Sequence, residues 1–456
     1  MSLGLTAAKI RQYSKKSLFA DKTWRWSPSP WPLPSDVCQW IDKLGKAAVA
    51  FYQGIDLLYR RSWKGDSLIR NGSLYAPWIA EYYDGGKPAW LIEHGRSDAV
   101  QKQIPLVLRP DLIPHAEGIA LTEWDSVPGG IGLTAHLEVI FKMMKEPRMV
   151  ISLRDALVWA ARHLGGEKAH MVIAVSEEAN TYLPEMEWIC HELGKLGLSI
   201  QACSPDDLNM MNGSVFLHQK KIGLIYRFWE LFDYKNVKIM PALANLVEEG
   251  RVVVTPPMKH NQEEKLSLAL FHHHRLQSFW EENVSKQDLQ ILRSAIPESW
   301  VMDPREVPPG AFLDGPLVQG QRITSWSDLS KASKKERKLV LKASGFHETA
   351  WGARSVIIGD DVSANEWSAA LAQAIKDYPN PVFILQEFKK PRSFTHKLIS
   401  AQGESIDERG RVRLSPYFFI TDKTAKWSGT LTSFCPLDKK IIHGMKDGSL
   451  IPCIET

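Results

Sequence analysis

Apolar residues along this chain fall into short, strand-sized runs broken by turn-forming clusters. Residues 104–113 and 119–124 are apolar-rich and flank Pro114-His115-Ala116-Glu117-Gly118, which predicts a β-hairpin. Leu339-Val340-Leu341 and Val382-Phe383-Ile384-Leu385 read as buried strands. Residues 170–260 predict an α/β unit. It has a strand over 170–175, a helix over 184–197 with Trp188, Ile189, Leu193 and Leu196 on one face, and a strand over 198–202. Further helices are expected over 134–144, after Pro128-Gly129-Gly130-Ile131-Gly132, and over 366–378. Pro28, Pro30, Pro32 and Pro34 among tryptophans predict an extended arm over residues 20–36. Strands mixed with helices in this way place the chain in the α/β (α+β) class.

Polar residues inside two of these strand regions change the picture. Side chains alternate faces along a strand, so Arg109 and Asp111 share one face of the hairpin, and Glu123 and Asp125 share one face of the return strand. With the turn centred near Ala116, Arg109 lies opposite Glu123 and the four groups converge. Three carboxylates are hard oxygen ligands of the kind Mg²⁺ prefers. The plain alternative is a surface hairpin with a solvated polar face. In the second region, Lys342 ends a buried strand, residues 343–352 are small or polar enough for a mobile loop, and Arg354 follows. Such a loop can fold over a triphosphate and exclude water. The strand over 382–385 runs into Gln386-Glu387-Phe388, whose backbone can offer N–H and C=O groups to an adenine edge. Taken alone, either element is more often part of an ordinary strand–loop–helix–strand unit with a lysine at a strand end.

Together these motifs carry a resemblance. Arg109-x-Asp111 followed by Glu123-x-Asp125 resembles the metal-binding strand pair of ATP-grasp ligases, usually Arg-x-Asp…Glu-x-Asn. The Lys342 strand with its loop, and Gln386-Glu387-Phe388, look like that superfamily's phosphate lysine and adenine hinge. Metal strands preceding the lysine strand is an order similar to the glutathionylspermidine synthetase group and related circularly permuted ATP-grasp proteins. Ile222 to Glu230, and Gly250-Arg251-Val252-Val253-Val254-Thr255-Pro256-Pro257 with Lys265 beyond, look like that group's pre-grasp segment.

The resemblance implies an ATP-grasp-like fold in permuted order with a pre-grasp subdomain. Residues 1–100 would form an N-terminal arm and aromatic-rich region, and 101–165 the metal-binding part of the core. Residues 166–265 would be the pre-grasp subdomain, and 266–456 the nucleotide-binding part. It also implies ATP and Mg²⁺ as cofactors, with Asp111, Glu123 and Asp125 on the metal. Lys342, Ser344, Gly345, Gln386, Glu387 and Phe388 would meet the nucleotide, and Arg109, Lys342, Arg354 and Arg413 would serve the chemistry. Arg413 is preferred to Arg411, its neighbour on the same strand face, by its place in the chain. The implied reaction is ADP-forming amide synthesis from a small-molecule or peptide carboxylate and an amine, through an acyl phosphate.

Three departures keep two alternatives in view, an ATP-binding scaffold without turnover and a phosphotransferase. Asp125 stands where the family usually has asparagine. The loop after Lys342 is long and poor in glycine. The second phosphate lysine has no clear position, because Lys331, Lys334, Lys335 and Lys338 read as a solvated turn and helix end.

Composition narrows the remaining classes. With 456 residues the chain is long enough for two or three domains, and 44% hydrophobic with 24% charged residues is an ordinary globular balance. A net charge of +4 gives no basic stripe, so no nucleic-acid partner is expected. Five cysteines without a Cys-x-x-Cys pair point away from disulfides and zinc and toward a reducing compartment. Residues 1–19 carry Lys9, Arg11, Lys15 and Lys16 but no sustained apolar stretch, and no window reaches membrane-spanning length. A cytoplasmic location without membrane contact is therefore expected. His272-His273-His274 reads as a solvated helix face.

Overall fold

The computed structural model describes Leu18 and residues 24–456, other than 144–146, 165–169, 309, 351, 401, 439–440 and 443–447. The expectation that residues 1–19 carry no secretory signal therefore falls almost wholly outside the described residues. Among those described, no helix is long and apolar enough to cross a membrane.

Strands are numbered along the chain. The largest sheet holds β1 (Trp31–Leu33), β2 (Val107–His115), β3 (Gly118–Asp125), β16 (Ser393–Ile399), β17 (Ser405–Thr421), β18 (Thr424–Pro436) and β19 (Ser449–Glu455). Its order is β1-β19-β18-β17-β2-β3, with β16 also paired to β17. The expected proline-rich arm thus ends in an edge strand, where Pro32 costs no central ladder bond.

A second sheet comprises β4 (His170–Val175), β5 (Ile200–Cys203), β6 (Leu208–Met211), β7 (Ser214–Leu217), β8 (Lys220–Phe228) and β9 (Val253–Thr255). Its β4, β5, β8 and β9 pair in parallel. Helix Leu183–Lys195 covers one face, where Ile173 and Val175 meet Met186 and Ile189. Helix Met240–Glu248 covers the other, where Val172 and Ala174 meet Met240 and Leu243. Burial on both faces explains why these strands are continuous apolar runs. A third sheet runs β10 (Ser299–Val301), β15 (Phe383–Glu387), β13 (Leu339–Ala343) and β14 (Ile357–Ile358), backed by helix Ala364–Asp377. A small hairpin joins β11 (Leu317–Val318) to β12 (Gln321–Arg322).

The 30-residue helix Ser35–Lys64 underlies the large sheet. Its buried Ile41, Leu44, Ala48, Phe51, Ile55 and Leu58 recur every three or four residues, which makes one apolar stripe. That stripe shares a core with Leu108 and Leu112 of β2 and Val412, Leu414 and Phe418 of β17. Alternate positions on the same strands, Arg109, Asp111 and Arg413, therefore face the other way, into a cavity.

The hairpin differs from the expected register. Its turn is Ala116-Glu117, and pairing runs regularly from His115↔Gly118 to Leu112↔Leu121. A bulge then skips Thr122, so that Asp111 pairs with Glu123 and Arg109 with Asp125, not with Glu123. The extra residue shifts the alternation. Before the bulge Ile119 and Leu121 pack on the core; after it Trp124 does, which leaves Glu123 and Asp125 on the cavity face. Without the bulge those two carboxylates would lie on the opposite face from Asp111.

The helix expected over 134–144 forms earlier, at Ile131–Ile140. Gly130 before it takes φ 89°, and a Cβ there would meet the Tyr417 hydroxyl at 2.5 Å. The histidine tract is not one helix face. Helix Leu266–His272 ends within it, and His273 and His274 stack at 5.0 Å beside Asp314.

Candidate functional site

A cavity of about 840 Å³ lies between the large sheet and β13–β15, with the ends of β4 and β8 at its side. Its floor follows from the pairing register. Arg109 sits across from Asp125, Asp111 across from Glu123, Arg413 across from Ser433, and Ser433 across from Leu450.

Arginines hold two of the three carboxylates. Arg109 Nη2 lies 2.7 Å from Asp125 Oδ2, its Nε lies 3.3 Å from Asp111 Oδ1, and its Nη1 donates to the Gly129 carbonyl at 3.2 Å. Arg413 Nη1 lies 2.9 Å from Asp111 Oδ2, and Ser415 Oγ donates to Asp111 Oδ1 at 2.9 Å. Burial alone would raise the Asp111 carboxyl, but Arg413 and Arg109 outweigh it and hold the group below the usual range. At Asp125 the balance reverses. Burial, with Asp111 and Glu123 nearby, raises it despite Arg109. Glu123 is a third exposed and faces Lys265 Nζ at 3.3 Å.

Lys342 is 5% exposed. Its Nζ donates to the Thr122 carbonyl at 2.6 Å and to Gln386 Oε1 at 2.8 Å. The bulge that re-aims Glu123 thus also presents the carbonyl that receives Lys342. An ammonium has three N–H donors, so one remains. Burial, opposed by Glu123 and assisted by Lys265, brings this lysine down to about 7. Lys265 goes the other way: burial would lower it, but Glu123 and Glu230 outweigh burial and raise it. Glu230 at the end of β8 is pushed well up by burial and by Glu263 and Asp125.

Most expected residues line this one cavity: Arg109, Asp111, Glu123, Asp125, Lys342 and Arg413, and also Arg354 and Gln386-Glu387-Phe388. Two expected nucleotide residues do not. Ser344 is fully buried, hydrogen-bonded to Glu264 and to the Leu266 amide. At Gly345 a Cβ would meet the Glu263 carbonyl at 2.4 Å, so this glycine serves close backbone packing. The hinge expectation also changes. The amides of Glu387 and Phe388 donate to the Glu298 and Lys338 carbonyls, which leaves neither for an adenine edge. Gln386 instead braces Lys342, its own amide held by Ser299. Arg354 lies 3.5 Å from Glu178 near the second sheet. The loop before it packs Phe346 between the Tyr234 ring and Lys87.

Lys331, Lys334, Lys335 and Lys338 are all exposed and outside the cavity. Besides Lys342, Lys265 and Lys389 line it; Lys389 pairs with Glu387, and Lys265 is the one that faces the carboxylate cluster. Sequence reasoning gave no role to Glu230, and nothing in the run Ile222–Glu230 signals one. The run Lys259 to Glu264 reads as solvent-loving yet is mostly buried. Lys259 Nζ lies 2.5 Å from Asp56, and Asn261 and Gln262 also bond Asp56.

As a metal site, the donor set is all carboxylate, which suits Mg²⁺ rather than a soft metal. Glu123 and Asp125 fit best, because each has an exposed part and fewer partners than Asp111. The three carboxylates do not all close to within 4.8 Å of one another; among the described residues that spacing is met by His273, His274 and Asp314. One Mg²⁺ needs only one or two protein carboxylates, so the set remains adequate.

No protein-family model and no curated protein matches the sequence. Among solved structures, a glutathione synthetase-like effector from Globodera pallida in its apo form superposes with a TM-score of 0.58 at 11% identity, covering 95% of this chain and 90% of that one. That likeness shows the fold. The chain is a mixed α/β protein with an ATP-grasp-like architecture. A Methylobacillus flagellatus protein provisionally assigned as a gamma-glutamylcysteine synthetase aligns at a TM-score of 0.41 and 11% identity, over 87% of this chain and 82% of that one. A likeness that loose adds nothing to the argument.

Proposed function

We propose that this protein is an ATP- and Mg²⁺-dependent carboxylate–amine ligase of permuted ATP-grasp order, releasing ADP and phosphate. One observation carries the reading. Lys342, more than two hundred residues from the hairpin, donates to the Thr122 carbonyl at 2.6 Å, inside the same cavity as Arg109, Asp111, Glu123 and Asp125.

The residues divide the work by charge. Lys342 and Lys265 face the phosphates, and each offers a positive charge that strengthens as phosphoryl charge develops. Glu123 and Asp125 would hold Mg²⁺, which would supply charge neutralisation for the phosphates. Asp111 stays ionised between Arg109 and Arg413 and fixes both guanidinium groups. The γ-phosphoryl group passes from ATP to a substrate carboxylate oxygen, giving an acyl phosphate and ADP. The amine nitrogen then bonds to the acyl carbon, the C–O bond to phosphate breaks, and phosphate leaves. Arg109 stands beside the oxyanion formed on the way. Positioning and electrostatics suffice, so no side-chain nucleophile is required.

A second reading, a nucleotide-binding scaffold, draws on Asp111: both its oxygens are taken by Arg413, Arg109 and Ser415. The experiment that separates them is ADP release from Mg·ATP with pools of acids and amines, alongside calorimetric ATP binding. Release that requires both an acid and an amine supports the ligase. Binding without release under every pool supports the scaffold, and no ATP binding refutes both.

A further inference from the structure

The cavity has two unlike ends with the charged cluster between them. Over β13–β15 it is bounded by Val340, Ile358 and Phe388, next to Lys342. At the other end the floor passes from Arg413 to Ser433 on β18 and on to Leu450 on β19, with Leu431 beside them. Val127 and Leu133 complete that wall, and both belong, with Leu431, to one apolar cluster. Arg413 carries the polar function there. Its Nη1 holds Asp111 and its Nη2 donates weakly to Ser433 at 3.4 Å, while its buried Nε has no partner. Glu185 also borders the cavity, but its Oε1 accepts from the Gly132 amide at 2.9 Å.

From this arrangement we infer that the end over β18 and β19 seats the acid substrate, and that the acid has an apolar body, either branched aliphatic or aryl. The inference rests on the ligase reading for its place in a reaction. Its physical content is independent of that reading: a carboxylate is received by the Arg413 Nε–H and the Ser433 hydroxyl, with its carbon body against Leu431, Leu450 and Leu133. A buried guanidinium N–H without an acceptor is costly, and a carboxylate is the acceptor it matches. The leucine wall gives a charged or strongly polar body nothing to replace its lost water. An acid placed here has its carboxylate beside Arg413 and Asp111, next to where the phosphoryl group crosses from the β13–β15 end.

The test uses the full-length protein and two probes, phenylacetate and a γ-glutamyl dipeptide. Binding is read by saturation-transfer NMR without nucleotide, and turnover by hydroxamate formation with Mg·ATP and hydroxylamine. Phenylacetate should bind, and the dipeptide should bind far more weakly. Leu450→Lys, on the partly exposed last strand, should weaken phenylacetate roughly tenfold or more. The same change should leave ATP affinity as it was. Dipeptide binding in preference to phenylacetate, or equal phenylacetate affinity in wild type and Leu450→Lys, overturns the inference. If Leu450→Lys fails to fold, Ser433→Ala read by the same NMR comparison decides, with unchanged phenylacetate affinity overturning it. Absent ADP release under every acid and amine pool, with phenylacetate still bound, would sink the ligase reading and leave the acid seat standing. Hydroxamate formation from the dipeptide alone would do the reverse.

Discussion

Titration of Lys342 offers a direct test of where phosphates bind. Burial holds this lysine down to about 7 while Thr122 and Gln386 occupy two of its N–H bonds. Bound triphosphate would place several negative charges beside it and draw its titration back toward the ordinary lysine range. One unit of that change is about 1.4 kcal/mol, or tenfold in affinity. Nucleotide should therefore bind with net proton uptake near pH 8, approaching about one proton, and affinity should fall by up to about tenfold per unit between roughly pH 7 and 9. The effect on folding has a definite sign. Because the folded value is depressed, the buried charge costs stability fully below about pH 7, and the free protein gains stability as pH rises from there toward the normal lysine value. Lys342→Met removes both pH effects. It also removes a charge-assisted contact of about 1.5–3 kcal/mol, roughly ten- to hundred-fold in binding near pH 7. Calorimetry of Mg·ATP in two buffers of different ionisation enthalpy measures the uptake. A wild-type affinity flat across this range, or a slope that survives in Lys342→Met, would refute the placement of phosphate at Lys342.

Glu123→Gln should weaken Mg·ATP binding by roughly tenfold or more, because a metal ligand loses its charge. Its melting temperature should hold, since this side chain is a third exposed; an unaltered Mg²⁺ dependence counts against Glu123 as ligand. Deleting Thr122 should restore regular pairing with Glu123 and Asp125 still on the cavity face, but remove the carbonyl that receives Lys342 and so weaken calorimetric ATP binding. ATP affinity equal to wild type in that deletion would show that the bulged carbonyl does not set the position of Lys342. Gly345→Ala should cost about 1–3 kcal/mol by chemical denaturation, because the new methyl meets the Glu263 carbonyl. An unchanged denaturation midpoint would return Gly345 to the nucleotide. Lys265→Met should act with opposite signs, tightening Mn²⁺ binding in the absence of nucleotide, since Glu123 loses its competitor, while weakening ATP. Paramagnetic Mn²⁺ titration reads the first, and equal Mn²⁺ affinity in the two proteins would show that the Lys265–Glu123 pair does not guard the metal position.

Elements governed by local pattern were legible in the sequence. Strand β4 and the helices near 183–195 and 364–377 follow from apolar periodicity and turn residues, with ends off by a residue or two, as fraying termini allow. The 30-residue helix Ser35–Lys64 was not legible as one continuous element, because its stripe of Ile, Leu, Ala and Phe is interspersed with further buried residues on neighbouring turns, such as Val49, Tyr52 and Tyr59, which blurs its edge. The roles of Ser344 and Gln386 depend on what lies across from them, Glu264 and Lys342, and no local spacing reports that. The burial of Lys259 to Glu264 was illegible for the same reason. A run of charged and amide residues reads as solvated until Asp56, two hundred residues earlier, arrives to pair with it.

The hairpin register is a different case, because the decisive signal was present. With a two-residue turn at Ala116-Glu117, strict alternation places Ile119, Leu121 and residue 123 on the core face. The sequence instead has Ile119 and Leu121 followed by Trp124, a step of two and then a step of three. An apolar series that changes phase within one strand requires an extra residue between Leu121 and Trp124, and the structure puts it at Thr122. The same step explains why a charged pair, Glu123 and Asp125, can follow two core-facing residues without being buried against the long helix. It explains too why a carbonyl is left over to receive Lys342, since a bulged residue is not used by the regular ladder. One displaced residue thus fixes the carboxylate face and the lysine together.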